Sequence, residues 1–452
     1  MKDSESIIEI DNPSARQPKG TRQRWVMLSL VMMMTAVNYL DRANLAVAAP
    51  SIQKELGLNA VYMGILLSSF GWAYTAFLPF SGVILDGVGP RILYAVAVAG
   101  WSAATGVMGL ARTFLTMTGC RVAVGFFESP ALPTNVRVIT AWHPANERAL
   151  AVGLYTAMQY VALGFLTPIL AWIVVQFGWH SSFYATGSLG ILVAVVWYWG
   201  YRDPQFSSAN RTELDYIRAG GGLSENIGGV PNQMTPQTSV WTNVSKLLSH
   251  RQVWGMFIGQ FSVQTTLFFF LTWFPSYLIN GRGLTILKGG IYAAIPYLVA
   301  ILGTLIAGRL SDGMVARGYS KSKARKFPII AGFALSSVIV GANYTHSING
   351  VITFMAIASF GQAMASTVTG ALLSDVAPKG MVGLMGGILY FVANVGGTLA
   401  PIVIGVIVDR TGGFNLALTY VSAVALMGVL SYVFVLGDVH RIEMESVEVN
   451  LS

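Results

Sequence analysis

Long apolar runs dominate the chain and recur at the spacing of membrane-spanning helices. A span needs about 20 predominantly apolar residues. Six runs meet that need, near 25–48, 61–85, 91–111, 114–136, 150–175 and 182–201. A polar stretch over about 202–250 follows. Six more runs come after it, near 252–279, 289–312, 327–345, 350–375, 383–408 and 415–437. The pattern predicts an all-α membrane protein of twelve helices in two six-helix bundles. Its expected divisions are a tail over 1–24, a first bundle over 25–201, a middle loop over 202–251, a second bundle over 252–437 and a tail over 438–452. Met1 to Arg24 is too long and acidic for a signal-peptide n-region, so the first run reads as a retained helix. Within the middle loop, Arg211 to Arg218 predicts one short surface helix, closed by Gly220-Gly221-Gly222. Its expected role is a solvated tether.

Composition strengthens the membrane reading. The 452 residues are 54% hydrophobic and 11% charged, against about 25% charged for a soluble domain. The 49 glycines suit helices packed closely through small side chains. A net charge of +8 raises nucleic acid as a partner, but the basic residues cluster between apolar runs and line no soluble face. Their placement sets orientation instead. With both termini cytoplasmic, five of the 28 Lys and Arg lie outside (Lys54, Arg112, Arg282, Lys288, Arg410) and two within helices (Arg42, Arg121), leaving 21 inside. Cytoplasmic termini are therefore expected. The lone Cys120 excludes an internal disulfide framework and any multi-cysteine metal site. None of the five His falls near the buried charges, so neither an enzyme nor a cofactor is expected.

Only four charges sit well inside apolar runs: Asp41 and Arg42 in the first, Arg121 and Glu128 in the fourth. Charges at that depth are costly and functional by default. The four sum to zero, which predicts mutual pairing. Arg121 and Glu128 are seven apart, on one helix face about 10 Å apart along the axis, and both are placed to face the first helix. With both acids ionised, each Arg has a carboxylate partner. Protonating one acid frees an Arg to grip an anion through two hydrogen bonds. Anion and proton then favour each other's binding, as symport requires. A permanently paired staple is the competing role.

Neutral polar residues fall at helical spacing around the same depth. Asn38 and Arg42 are four apart, as are Tyr155 and Gln159, Gln260 and Gln264, and Tyr390 and Asn394. Gln362, Ser366 and Thr369 form one stripe on the tenth run. Such a lining suits a polyol carboxylate, with interhelical hydrogen bonding as the plainer use. Tyr39 and Tyr74 add phenols within reach of a ligand. Gln264, Thr369, Tyr390 and Asn394 are the second-half candidates for contact with it.

An internal repeat is visible as well. Gly82-Val-Ile-Leu-Asp86-Gly-Val-Gly89-Pro-Arg91 follows the second run, and Gly308-Arg-Leu-Ser-Asp312, with Arg317 beyond, follows the eighth. Trp142-His-Pro144 before the fifth run is echoed by Val376-Ala-Pro378 before the eleventh. The G-x-x-x-D-x-x-G-x-R loop and its degenerate copy resemble the signature of the major facilitator superfamily. That resemblance implies a cytoplasmic latch between the bundles, built on Gly82, Asp86, Gly89, Arg91, Gly308, Asp312 and Arg317.

A narrower resemblance lies within that superfamily. Asn38-Tyr39-Leu40-Asp41-Arg42-Ala43-Asn44-Leu45 is similar to the first-helix motif of the anion:cation symporters. Arg121-Val-Ala-Val-Gly125-Phe-Phe-Glu128-Ser-Pro130-Ala-Leu-Pro133-Thr-Asn135 is similar to their fourth-helix motif. The nearest resemblance is to bacterial proton symporters for sugar acids. It implies Asp41 and Glu128 as the protonated pair, Arg121 mediating between them, Arg42 as carboxylate ligand, and Tyr39, Tyr74 and Gln159 on the substrate. The chain departs where those permeases carry a Trp, aligned with Gly370, and an Asn, aligned with Tyr390. The expected partners are protons, a small organic anion and the lipid bilayer. The expected setting is a monomer in a bacterial inner membrane. Another carboxylate or a sulfonate as cargo, and export of an anion, remain open beside sugar-acid import.

Overall fold

The computed structural model describes residues 20–222, 240–378 and 381–443. The expected N-terminal tail up to residue 19, middle-loop residues 223–239 and the tail from 444 onward lie outside the described residues. All regular structure among the described residues is helical.

The first half comprises α1 Gln23–Leu56, α2 Ala60–Val88, α3 Pro90–Met108, α4 Phe114–Glu128, α5 Ala131–Trp142, α6 Ala145–Phe177 and α7 Trp179–Gly200. The middle segment holds α8 Arg211–Ala219 and α9 Val240–Leu248. The second half begins with α10 Arg251–Phe268, which runs on through wide turns around the short α11 Phe274–Ser276 as far as Gly281. It continues with α12 Ile286–Ala316, α13 Lys321–Ser337, α14 Ile348–Val376, α15 Val382–Thr411 and α16 Asn415–Leu430.

Every apolar run is helical, but the helices overrun the runs. The loop expected over 49–60 shrinks to three residues, because Gln53, Lys54 and Glu55 are good helix formers. Gly57 ends α1 at φ 63°, and the Asn59 side chain caps α2 by accepting from Tyr62 N. The fourth run breaks into α4 and α5 at Pro130, which has no N–H to continue the ladder.

Among the described residues, ten helical segments are long and apolar enough to cross a membrane. The two runs outside that set carry the four buried charges. α4 alone has 15 residues, and α1 interrupts its apolar stretch with Asn38, Asp41, Arg42 and Asn44.

Among the described residues the halves meet most extensively at two helix pairs, α2 with α15 and α6 with α12. At one end they press together. A Cβ on Gly64 would lie 2.6 Å from the Pro401 carbonyl oxygen, and one on Gly290 2.3 Å from the Ala171 Cβ. The Ser68 hydroxyl donates to the Thr398 carbonyl across the same seam. At the other end a Cβ on Gly82, Gly153, Gly308 or Gly387, one on each of these four helices, meets nothing within 4 Å. The halves are sealed at one end and parted at the other.

The middle helix is docked, which corrects the solvated-tether expectation. Ile217 and Glu213 of α8 are both buried. The Glu213 carboxylate accepts from the backbone N–H groups of Gln23 (3.0 Å) and Arg24 (3.1 Å), capping the start of α1. Arg24 bridges Glu213 to Glu147 of α6. Ala145 N donates to the Gly220 carbonyl at 2.8 Å. The second half repeats the device: after α16 the chain crosses under its own bundle, and Ile442 N donates to the Val376 carbonyl at 2.9 Å. Lys326 holds the Gly437 carbonyl and Arg441 that of Ser374. Both bonds fall at the repeated Pro144 and Pro378 corners.

Candidate transport site

Consecutive residues on a helix leave it about 100° apart, and α1 uses this to send two charges in different directions. Arg42 points toward α4, where its Nε and Nη2 both donate to Glu128 Oε2, at 3.1 and 2.9 Å. Its guanidinium also lies 4.6 Å from the Phe70 ring centroid, 5.0 Å from that of Tyr39 and 5.5 Å from that of Tyr74. Such cation–π contacts hold an arginine without spending its hydrogen bonds. Glu128 is fully buried, and its Oε1 has no hydrogen-bond partner.

Asp41 turns into the first bundle, beside Thr186 of α7 and Trp101 of α3. It is 1% exposed, and neither carboxylate oxygen is hydrogen-bonded. Arg121 is also buried; its guanidinium lies 5.1 Å from the Phe70 centroid, and its Nε is unpartnered. It stands within electrostatic reach of both acids. The expectation of two ion pairs is therefore corrected. One pair forms, Arg42 with Glu128, while Asp41 and Arg121 stay unbridged. The physical reason is direction: Arg42 reaches across to Glu128 on the fourth helix, Asp41 turns the other way, and Phe70 takes up Arg121.

Gly125 makes this possible. A Cβ there would come 2.3 Å from the Phe70 carbonyl oxygen, so only glycine lets α2 seat Phe70 and Tyr74 against α4.

Neutral candidates meet from both halves. Tyr155 of α6 lies near Tyr39 and near Tyr390 of α15. Gln159 adjoins Tyr160, whose hydroxyl donates to Gln362 Oε1 of α14 at 3.5 Å. Gln264 is half-buried on α10, one turn beyond Gln260, whose Oε1 is buried without a partner. The Thr369 hydroxyl donates to its own helix, at Ala365 O, and sits beside Tyr432. Asn394 likewise donates to the Tyr390 carbonyl at 2.9 Å. Tyr390 is 44% exposed, and a Cβ on Gly370 meets open space.

The latch residues lie at the parted end. Asp86 pairs with Arg137 of α5 at 2.9 Å. Asp312 pairs with Arg325 of α13, which also holds Asp375. Both ion pairs stay within one half. Arg91 donates to the Tyr198 carbonyl, Gly82 and Gly308 face open space, and Gly89 takes φ 82° at the turn. Arg317 closes α12 through its backbone N–H. Arg137, Arg325 and Asp375 were not singled out in the sequence. Their signal is positional: each lies a few residues from a repeated motif, at the polar end of an apolar run.

Fold and site together define a multi-pass membrane transporter, with a charged site buried among helices of the first half and neutral polar residues from both halves beside it. The chain belongs to the Major Facilitator Superfamily, whose profile matches residues 31–321. It is 43% identical over 425 residues to the D-galactonate transporter of Escherichia coli O6:H1, covering 94% of this chain and 98% of that one. A probable galactarate/D-glucarate transporter of Bacillus subtilis is 37% identical, with 95% of each chain covered. Among solved structures, a bacterial homologue of the human lysosomal transporter Spinster superposes with TM-score 0.67 at 18% identity, over 92% of this chain and 95% of that one. The membership makes this a transporter and not an enzyme, in keeping with a multi-pass protein of the bacterial inner membrane.

Proposed function

We propose that the chain is a proton-coupled symporter that imports a sugar acid by alternating access between two six-helix bundles, residues 25–201 and 252–437. In this reading the helices are twelve, the termini cytoplasmic and the working unit a monomer. The observation that carries it is the Arg42–Glu128 pair: a partly exposed guanidinium bonded to a single oxygen of a fully buried carboxylate. A proton on Glu128 removes the charge that holds Arg42. The guanidinium then offers two parallel N–H groups to an incoming carboxylate. Neither Asp41 oxygen is hydrogen-bonded, so a proton suits it, and Arg121 relays the charge state of one acid to the other.

Tyr39, Tyr74 and Gln159 from the first half, with Gln264, Thr369, Tyr390 and Asn394 from the second, are the proposed substrate contacts. The latch residues Asp86 and Arg91, with Asp312 and Arg317, close the parted end in the opposite conformer. The names of the relatives support a sugar acid as cargo.

The test is uptake of labelled D-galactonate and D-glucarate into proteoliposomes, with internal pH recorded in parallel. Saturable uptake driven by an inward proton gradient is expected, and acidification must accompany it. Saturable uptake without proton movement overturns the coupling.

Open space at Gly370 and the exposed Tyr390 favour a second reading, in which the cargo is a different carboxylate, such as an aromatic acid. Gly370→Trp distinguishes the two. A Cβ at that position meets nothing within 4 Å, and the variant is compared with wild type at equal yield of folded protein. If the cargo is a sugar acid, galactonate uptake persists with KM altered by about tenfold or less. If the cargo is bulkier, its uptake is lost while the protein remains folded.

A further inference from the structure

We propose that Gln362 is a specificity-determining residue whose side-chain amide reads a hydroxyl on the far end of the cargo, away from the carboxylate on Arg42. This rests on the sugar-acid reading above and adds a residue to it. Gln362 is 2% exposed at mid-length of α14. Its Oε1 accepts from the Tyr160 hydroxyl of α6, across the seam between the halves, but at 3.5 Å. A well-formed hydroxyl bond is about 2.7–2.8 Å, so this contact is slack. Its Nε2 has no partner at all. Leaving such a donor buried and unsatisfied costs about 1–3 kcal/mol, and native proteins tolerate the cost mainly where something else completes the bond.

The surroundings say what that is. On α6, Tyr155 lies beside Tyr390, which is exposed. Tyr160 is five residues further toward the sealed end, about 7 Å deeper. Tyr160 and Gln362 are both buried there, where the two halves meet. Tyr160 in turn neighbours Tyr39 and Gln159, and Tyr39 stacks on Arg42. A polar path thus runs from the guanidinium over two phenols to the free amide, from one half of the chain to the other. A ligand anchored by its carboxylate at Arg42 lays its carbon chain along this path. Hydroxyls on that chain meet the phenols, and the last within reach meets Gln362. An amide offers both a donor and an acceptor, which matches a hydroxyl and mismatches a methylene.

The experiment is competition against labelled D-galactonate in proteoliposomes, using unlabelled D-galactonate and its series of monodeoxy analogues. Wild type, Gln362→Leu and Tyr160→Phe are compared. Wild-type protein is expected to bind one deoxy analogue at least about tenfold more weakly than galactonate, since a site built to bond a hydroxyl rejects the ligand that lacks it. Gln362→Leu should weaken galactonate by a similar factor, leave that analogue unchanged, and so erase the preference. Tyr160→Phe breaks the same cross-half bond yet should keep the preference. If Gln362→Leu weakens every ligand equally, or matches Tyr160→Phe throughout, Gln362 is a staple and the inference falls while the sugar-acid reading stands. If wild-type protein shows no saturable galactonate binding, the reading falls and takes the inference with it.

Discussion

At the residue scale, the site turns on one bond between the first and fourth helices, the direction in which the sequence pointed. Charge sum and depth singled out Asp41, Arg42, Arg121 and Glu128 before any coordinates. Which Arg meets which acid depends on χ angles and on Phe70, which a one-dimensional pattern does not carry. The geometry fixes two expectations. Arg42→Ala should abolish uptake while folded protein stays in the membrane. Truncating one member of a buried, hydrogen-bonded charge pair costs about 2–5 kcal/mol, so at least about thirtyfold in apparent affinity. Normal uptake by that variant would sink the anion-grip role. Glu128→Gln removes the proton site and releases Arg42 for good. It should lose accumulation driven by a pH gradient while still exchanging substrate across the membrane. Counterflow measured beside proton-driven uptake separates the two, and steep accumulation with the gradient intact would rule out the proton role.

At the element scale, both halves are tied by the chain that leaves their last helix, and His143 sits in the first of these ties. It is fully buried at the corner between α5 and α6, with neither ring nitrogen hydrogen-bonded. Its ring meets Trp25 of α1 edge-on at 5.7 Å. Burial lowers its pKa below 6.5, Glu147 opposes that, and Arg24 and Arg148 add to it, while the Ile139 carbonyl pulls the other way. The folded corner thus holds a neutral imidazole, whereas the unfolded chain takes up a proton near pH 6.5. The unfolded state then binds more protons, so stability falls as pH drops below 6.5. Thermal unfolding in detergent between pH 8 and 5 should show that fall in wild type and a flatter curve in His143→Leu. Equal slopes would exclude a neutral, buried His143.

The tie itself was half legible. Asn210 and Gly220 mark the ends of α8 as cap and stop signals, and its helix was expected. Its docking was not, because Glu213 reads as one more surface carboxylate until α1 is seen to begin on it. The broken fourth run was hidden for the opposite reason. Pro130 lies inside an otherwise continuous apolar stretch, and hydropathy does not register a missing N–H.

At the scale of the whole molecule, the repeat in the sequence becomes a seam with one sealed and one parted end. The seal depends on glycine at α2: at Gly64 a side chain has no place beside the Pro401 carbonyl. Gly64→Val therefore wedges α2 from α15 and penalises this conformer by about 1–3 kcal/mol. If the halves rock about a central site, that penalty transfers population to the opposite conformer, roughly 5- to 150-fold in the ratio. The parted end should close as the sealed end opens. Gly87 and Gly313 follow Asp86 and Asp312 at matched positions of the two halves, and both have open space around them. Spin labels on Gly87→Cys and Gly313→Cys, in a Cys120→Ser background, report the gap between them by pulsed electron resonance. Adding Gly64→Val should grow a population at shorter distance, and D-galactonate should alter its share. A single unchanged distance, in protein that still transports, would mean that the seam is not the moving part. The latch pairs would then hold the same partners throughout the cycle, Asp86 with Arg137 and Asp312 with Arg325.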